Sequence, residues 1–174
     1  WTGLAEAMAP VTIIQRGFGG AQISHLNHYR ARIVLPYDPR AIVVMAGEAD
    51  LSDVRGRRPE DLLDDFRTFV LSLRAEGEDA PVYFVSLRPA PAREERWYGQ
   101  QRANALIADY VRTEKDMYFI DVSTAMLDER GNIRDDLYRW DGLTLNGKGY
   151  ETAGPIIRER LVEAGYGELR PGRE

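Results

Sequence analysis

The chain has no cysteine and only two histidines in 174 residues. Without cysteine there is no disulfide, no thiolate nucleophile and no Cys-based zinc site. The two histidines, His25 and His28, stand three apart on a helical pattern. No carboxylate or third histidine lies at metal-site spacing from them, so neither a metal nor a cofactor is expected. Positive charge is not in excess either: Lys+Arg number 23 against 28 Asp+Glu, a net charge of −5. A nucleic-acid partner normally demands a basic face, so none is expected here. No apolar run is long enough for a membrane span. No signal peptide is visible, and the chain opens on Trp1 rather than Met, so an upstream piece is expected. There is no G-x-S-x-G nucleophile elbow, no internal repeat and no low-complexity linker.

What is present fits an ordinary globular domain, with 44% hydrophobic and 29% charged residues. The length predicts one domain over residues 1–165, followed by a loosely held tail at 166–174. "VTIIQ" (Val11 to Gln15), "AIVVMAG" (Ala41 to Gly47), "PVYFVSL" (Pro81 to Leu87) and "MYFIDV" (Met117 to Val122) read as buried parallel strands. Between them, Leu62, Leu63, Phe66, Phe69, Val70 and Leu73 form a helical stripe opened by Pro59. Further helices are predicted over Ile23 to Val34, around Ala103 to Val111, and over Tyr150 to Val162, where Pro155 should kink the helix or mark its true start. Strand and helix in alternation mean an α/β fold with a parallel sheet.

In such sheets function gathers beyond the carboxyl ends of the strands. "RGFGGAQ" (Arg16 to Gln22), "GEADL" (Gly47 to Leu51) and "SLRPAPAR" (Ser86 to Arg93) lie there. Gly142 to Lys148 also spells G-x-x-x-x-G-K, the start of a phosphate loop. Its context is wrong: charged residues precede it rather than a core strand, and Gly149 stands where the magnesium-binding hydroxyl belongs. It reads better as a Gly-rich helix entry. "GFGGAQ" has Gln22 where a dinucleotide fingerprint needs its third glycine, leaving a tight turn whose bare N–H groups could face an anion. The charged runs "REER" (Arg93 to Arg96) and "RGRR" (Arg55 to Arg58) read as solvated rims.

Together "IIQRGFGGAQ", "VVMAGEADL", "VSLRPAPAREERW" and "FIDVSTAMLDERGNIRDDLYRWDGLTLNGKGY" resemble the SGNH (GDSL-like) hydrolase family, over nearly the whole length. The resemblance implies a three-layer α/β/α, flavodoxin-like fold. It also implies hydrolysis of esters or thioesters of small acyl, lipid or carbohydrate substrates, so a small acyl-ester or acetylated-carbohydrate ligand is expected. In the family a Ser nucleophile is deprotonated by a His that an Asp orients. The Ser N–H, a Gly N–H and an Asn side-chain amide form the oxyanion hole. Carried over, the Gly is Gly20 and the Asp is Asp141. The Asn position holds Ala49 and the His position holds Thr144. The nucleophile block, "GDS" or "GSSS", would fall just before Trp1.

Thr144 has no group that titrates near neutrality, so it cannot act as general base. Losing a triad's base lowers kcat by about 10^6, and losing an oxyanion amide costs about 10^2 to 10^3. The expectation is an esterase-type domain that is inactive or severely impaired. The alternative is a non-catalytic, flavodoxin-like domain that binds a ligand or a protein through the Gly17 to Gly20 turn and the charged rims. The resemblance also implies that the first strand of the sheet, which lies between "VTIIQ" and "AIVVM", is missing from this chain. Another segment, another chain or a rearranged sheet is expected to make up for it, and direct pairing of "VTIIQ" with "AIVVM" would contradict this.

Overall fold

A computed structural model of the protein describes residues 1–51 and 56–168. Its centre is a parallel sheet of three strands, β1 (Ile42–Val44), β2 (Val82–Val85) and β3 (Met117–Ile120), in that spatial order. Ile42 pairs with Val82, and Val82 with Met117. The helices among the described residues are α1 (Leu4–Met8), α2 (Ile23–Ile33), α3 (Glu48–Leu51), α4 (Pro59–Ala75), α5 (Trp97–Thr113) and α6 (Gly147–Glu163).

The pleat sends alternate side chains to opposite faces. Ile42, Val44, Val82 and Phe84 face a core closed by α2, α4 and α5, where they meet Ile23, Phe66, Phe69 and Ile107. Tyr83, Val85 and Ile120 face a second core, closed by α1 and α6 through Met8, Ile157 and Leu161. Three α/β/α layers result, and β2 is buried on both faces. That double burial is why its sequence is a continuous apolar run rather than an alternating one. α4 begins where Pro59 predicts. Asp61 reaches back to accept the Arg58 N–H at 2.8 Å, and the stripe from Leu62 to Leu73 is buried. Each fully buried Leu or Phe of that stripe stabilises the fold by about 1.5–3 kcal/mol.

Two expectations need correction. Val11 to Gln15 is not a strand. The far edge of β1 has no strand partner among the described residues, and a β-ladder cannot form without one. The run instead passes along the surface, where water can serve its backbone. Ile14 is exposed there, as are Val43 and Met45 of the β1 segment, at 37% and 40%. The rival arrangement, in which "VTIIQ" pairs directly with "AIVVM", is not formed. The second correction concerns the last helix. α6 starts at Gly147, and Pro155 lies inside it. The start is set by Asn146, whose Oδ1 accepts the Gly149 N–H at 3.1 Å. At the other end Tyr166 packs edge-on against Tyr83, and Arg40 donates to the carbonyls of Gly165 and Glu168. The chain is thus anchored through Glu168, while the rest of the predicted tail, 169–174, lies outside the described residues.

Candidate active site

The stretch that opens α6 is built as a closed turn. Tyr138 and Leu145 form an antiparallel bridge, and Arg139 N–H donates to the Thr144 carbonyl at 2.8 Å. Asp141 sits at the tip. One carboxylate oxygen accepts the N–H groups of Leu143 and Thr144 at 2.9 and 2.8 Å. The other accepts the Thr144 hydroxyl at 2.7 Å. The Thr144 hydroxyl, with those two N–H groups, holds the Asp141 carboxyl down at a pKa of about 2. The structure joins Asp141 and Thr144 directly through that hydroxyl bond.

Ala49 lies in α3, immediately beyond β1. Its half-buried side chain is a methyl group, with no amide to offer an oxyanion. The next residue, Asp50, is 0% exposed. It accepts the Ile23 N–H at 3.1 Å, one of the orphan donors at the start of α2. Its other oxygen has no hydrogen-bond partner, and Arg57 stands 3.6 Å away. Burial raises the Asp50 carboxyl to about 6, against the opposing pull of the Ile23 bond and Arg57.

Asp50 therefore ties α2 to the Ala49 segment. Gly20, three residues before Ile23, is exposed on its loop at φ +71°. That left-handed conformation suits glycine. No atom outside its immediate chain neighbours would touch a Cβ placed there.

Arg88 joins the two halves of the site. Its guanidinium donates to the Leu143 carbonyl at 3.2 Å and lies 3.7 Å from Glu48. Tyr138, beneath it, donates to the Pro89 carbonyl, and burial raises its phenol pKa. Sequence reasoning flagged "SLRPAPAR" as a segment but did not single out Arg88. A charged residue just past a buried strand was the available signal.

Other candidates resolve into structure. Lys148 of the apparent phosphate loop pairs with Asp136. His25 Nδ1 accepts the Gln22 N–H at 3.3 Å, and His28 meets Tyr29 edge-on. No group of three or more His, Cys, Asp or Glu stands together as a metal site among the described residues. Ser86, at the end of β2, accepts the Val122 and Ser123 N–H groups at 2.9 and 3.0 Å and donates to Asp121 at 3.2 Å. It closes a turn, and its partner Asp121 is itself held by the Ser123 and Thr124 hydroxyls. In "RGRR", Arg57 pairs with Asp65 and Arg58 with Asp61, while Arg55 lies outside the described residues. No helix among the described residues is long and apolar enough to cross a membrane.

Comparison with known proteins agrees with the fold. The model of the GDSL-like lipase/acylhydrolase family matches residues 1–152. A Streptococcus pneumonia protein whose structure carries the provisional label of a platelet activating factor is 19% identical. It superposes with a TM-score of 0.79 over 92% of this chain and 78% of its own. A GDSL-like lipase from Bacteroides thetaiotaomicron VPI-5482 is 21% identical, with a TM-score of 0.71 over 87% and 76%. A family 3 carbohydrate esterase from Talaromyces cellulolyticus is 20% identical, with a TM-score of 0.68 over 89% and 76%. No curated protein sequence matches the chain. The chain belongs to the GDSL-like lipase/acylhydrolase family.

Proposed function

We propose that this member of the GDSL-like lipase/acylhydrolase family binds an acyl-ester ligand at the Ala49–Thr144 site without turning it over. The observation that carries the reading is the bond from the Thr144 hydroxyl to Asp141. A working triad needs that carboxylate to orient an imidazole, which then takes the nucleophile's proton. Here the carboxylate is satisfied by its own turn, and the residue on it cannot accept a proton near neutrality. Ala49, with only a methyl, supports the same reading from the oxyanion side.

The test is hydrolysis of p-nitrophenyl acetate by the purified protein, together with fluorophosphonate labelling. The expected rate is background, with no labelled residue. A kcat above about 1 s⁻¹, within the ordinary enzymatic range, would overturn the proposal. Thr144→His with Ala49→Asn, in a chain that also carries a Ser block, is expected to raise hydrolysis well above the same chain without the two substitutions. The run "RGRR" gives the alternative of a protein-interaction domain little support, because Arg57 pairs with Asp65 and Arg58 with Asp61.

A further inference from the structure

β2 ends at Val85, and the ladder to β3 closes with the Ser86 N–H on the Ile120 carbonyl. Leu87 lies beyond the ladder, so its backbone groups need another partner. Asn104 of α5 supplies it. Its Oδ1 accepts the Leu87 N–H and its Nδ2 donates to the Leu87 carbonyl, both at 2.8 Å. Asn104 is buried, and it spends both ends of its amide on this one residue. Two residues on, the Pro89 carbonyl accepts the buried Tyr138 phenol. Arg88 stands between these two fixed points, and the proline after it restricts its own backbone to extended conformations. The root of Arg88 is therefore set before its side chain reaches anything.

The side chain reaches both sides of the candidate site. A cavity of about 110 Å³ lies between them, where Arg88, Arg93 and Gln100 meet Glu48 and Leu143. Glu48 precedes Ala49 in the chain, and Leu143 precedes Thr144. Arg88 Nη1 donates to the Leu143 carbonyl at 3.2 Å, and Nε faces the Glu48 carboxylate at 3.7 Å. The two charged side chains are 22% and 27% exposed, so water screens them only in part. Tyr138, on the arm leading into the turn, is a third neighbour: burial raises its phenol pKa, and the Arg88 charge opposes that rise. A guanidinium can serve several partners at once because its N–H groups form a rigid planar fork. A lysine ammonium carries the charge without the fork.

The Leu143 carbonyl and the Thr144 N–H belong to one peptide unit, which is planar and rigid. Arg88 holds the oxygen of that unit, and Asp141 accepts its N–H at 2.8 Å. Whatever orients the oxygen also orients the N–H, and with it the bond to Asp141.

We infer that Arg88 is a positioning residue: it fixes the Leu143–Thr144 peptide against Glu48 and so sets where Asp141 stands relative to the Ala49 segment. The inference rests on the ester-site reading for what that spacing serves, an acyl ester held between the two sides.

The experiment compares four ¹⁵N-labelled proteins, the parent chain, Glu48→Gln, Arg88→Gln and the double variant, by NMR shifts and amide hydrogen exchange. It uses no ester, so it is decided whether or not the chain binds or cleaves one, and the hydrolysis assay stands or falls separately. With Arg88 present, Glu48→Gln is expected to shift the Leu143 and Thr144 amides and to speed exchange at Thr144. With Arg88→Gln in place, the same substitution should leave both amides as they were. A residue that only added stability would speed exchange throughout the neighbouring core and carry nothing from Glu48 to the turn. A turn that ignores Glu48→Gln in the parent chain would overturn the inference, as would an equal response with and without Arg88. If Arg88→Gln does not fold, Arg88→Lys takes its place in the comparison, and an undiminished response through the lysine would overturn the inference as well.

Discussion

Residues 138–149 carry Asp141 and Thr144, residues 12–22 carry Gly20, and the two stretches are secured in different ways. The first stretch is closed on itself by a bridge, by the three bonds to Asp141, and by Asn146, which also donates to the Asp136 and Tyr138 carbonyls. The second is almost wholly exposed from Thr12 to Gly20 and joins no strand. It is tied down at its end, where Ile23 donates to Asp50. The closed turn is held largely by local bonds, to which Arg88, Pro89 and Ala92 add contacts from the segment after β2. The open loop depends on neighbours far away in sequence, which is why the strand expected within it is not formed.

The contrast is broken most directly by placing one methyl group on each side. Gly149 lies where a Cβ would come within 2.4 Å of the Leu137 carbonyl oxygen and 2.8 Å of Leu145. Both neighbours belong to the closed turn and have no room to move. Gly149→Ala is expected to cost more than about 3 kcal/mol or to prevent folding. Gly20→Ala meets no atom and pays only for its positive φ, about 1–2 kcal/mol. Urea denaturation of the two variants checks this, and equal losses would mean that the loop is packed as tightly as the turn.

A smaller effect is expected at Asp50, the tether of the open loop. Asp50→Ala removes the acceptor for Ile23 and should cost about 1–3 kcal/mol. It should also speed hydrogen exchange at the Ile23 amide. The pH dependence has a definite sign. The folded carboxyl titrates at about 6, above the roughly 3.9 of an unfolded Asp. Its contribution is therefore fully present below pH 4 and is lost as pH rises through 6, by up to about 3 kcal/mol for a shift of this size. In Asp50→Asn that slope between pH 4 and 6 should vanish. If the slope persists, another group carries it.

Much of the architecture was legible from local patterns. α4 begins at Pro59 as read, because its apolar stripe and its N-terminal signals agree. The cores of three strands were marked by short apolar runs. "VTIIQ" carries the same composition, yet strand formation needs a partner, and composition does not reveal one. α6 was placed too late because the Asn146 cap was not read, and α1 was not read at all. Asp141, Thr144, Ala49 and Gly20 were named from the motifs around them. The cavity of Arg88, Arg93 and Gln100 was not, because it is assembled from the segment after β2, the start of α5, α3 and the turn before α6. No spacing in the sequence records that meeting.

The smallest effect concerns the bond that replaces the histidine. Thr144→Val keeps the two backbone bonds to Asp141 and removes only the hydroxyl. A carboxyl whose folded pKa is lowered adds stability above its unfolded pKa and loses it as pH falls through the folded value. For Asp141 that window runs from about pH 4 down to about 2. The variant should titrate at higher pH, so the acid limb of its unfolding curve should move up, as carboxyl NMR and acid denaturation would both record. An unmoved titration would mean that the backbone N–H groups alone set the Asp141 pKa. A raised one would show that Asp141 and Thr144 hold the turn as a pair, which gives this aspartate a structural reason to be there with no histidine to orient.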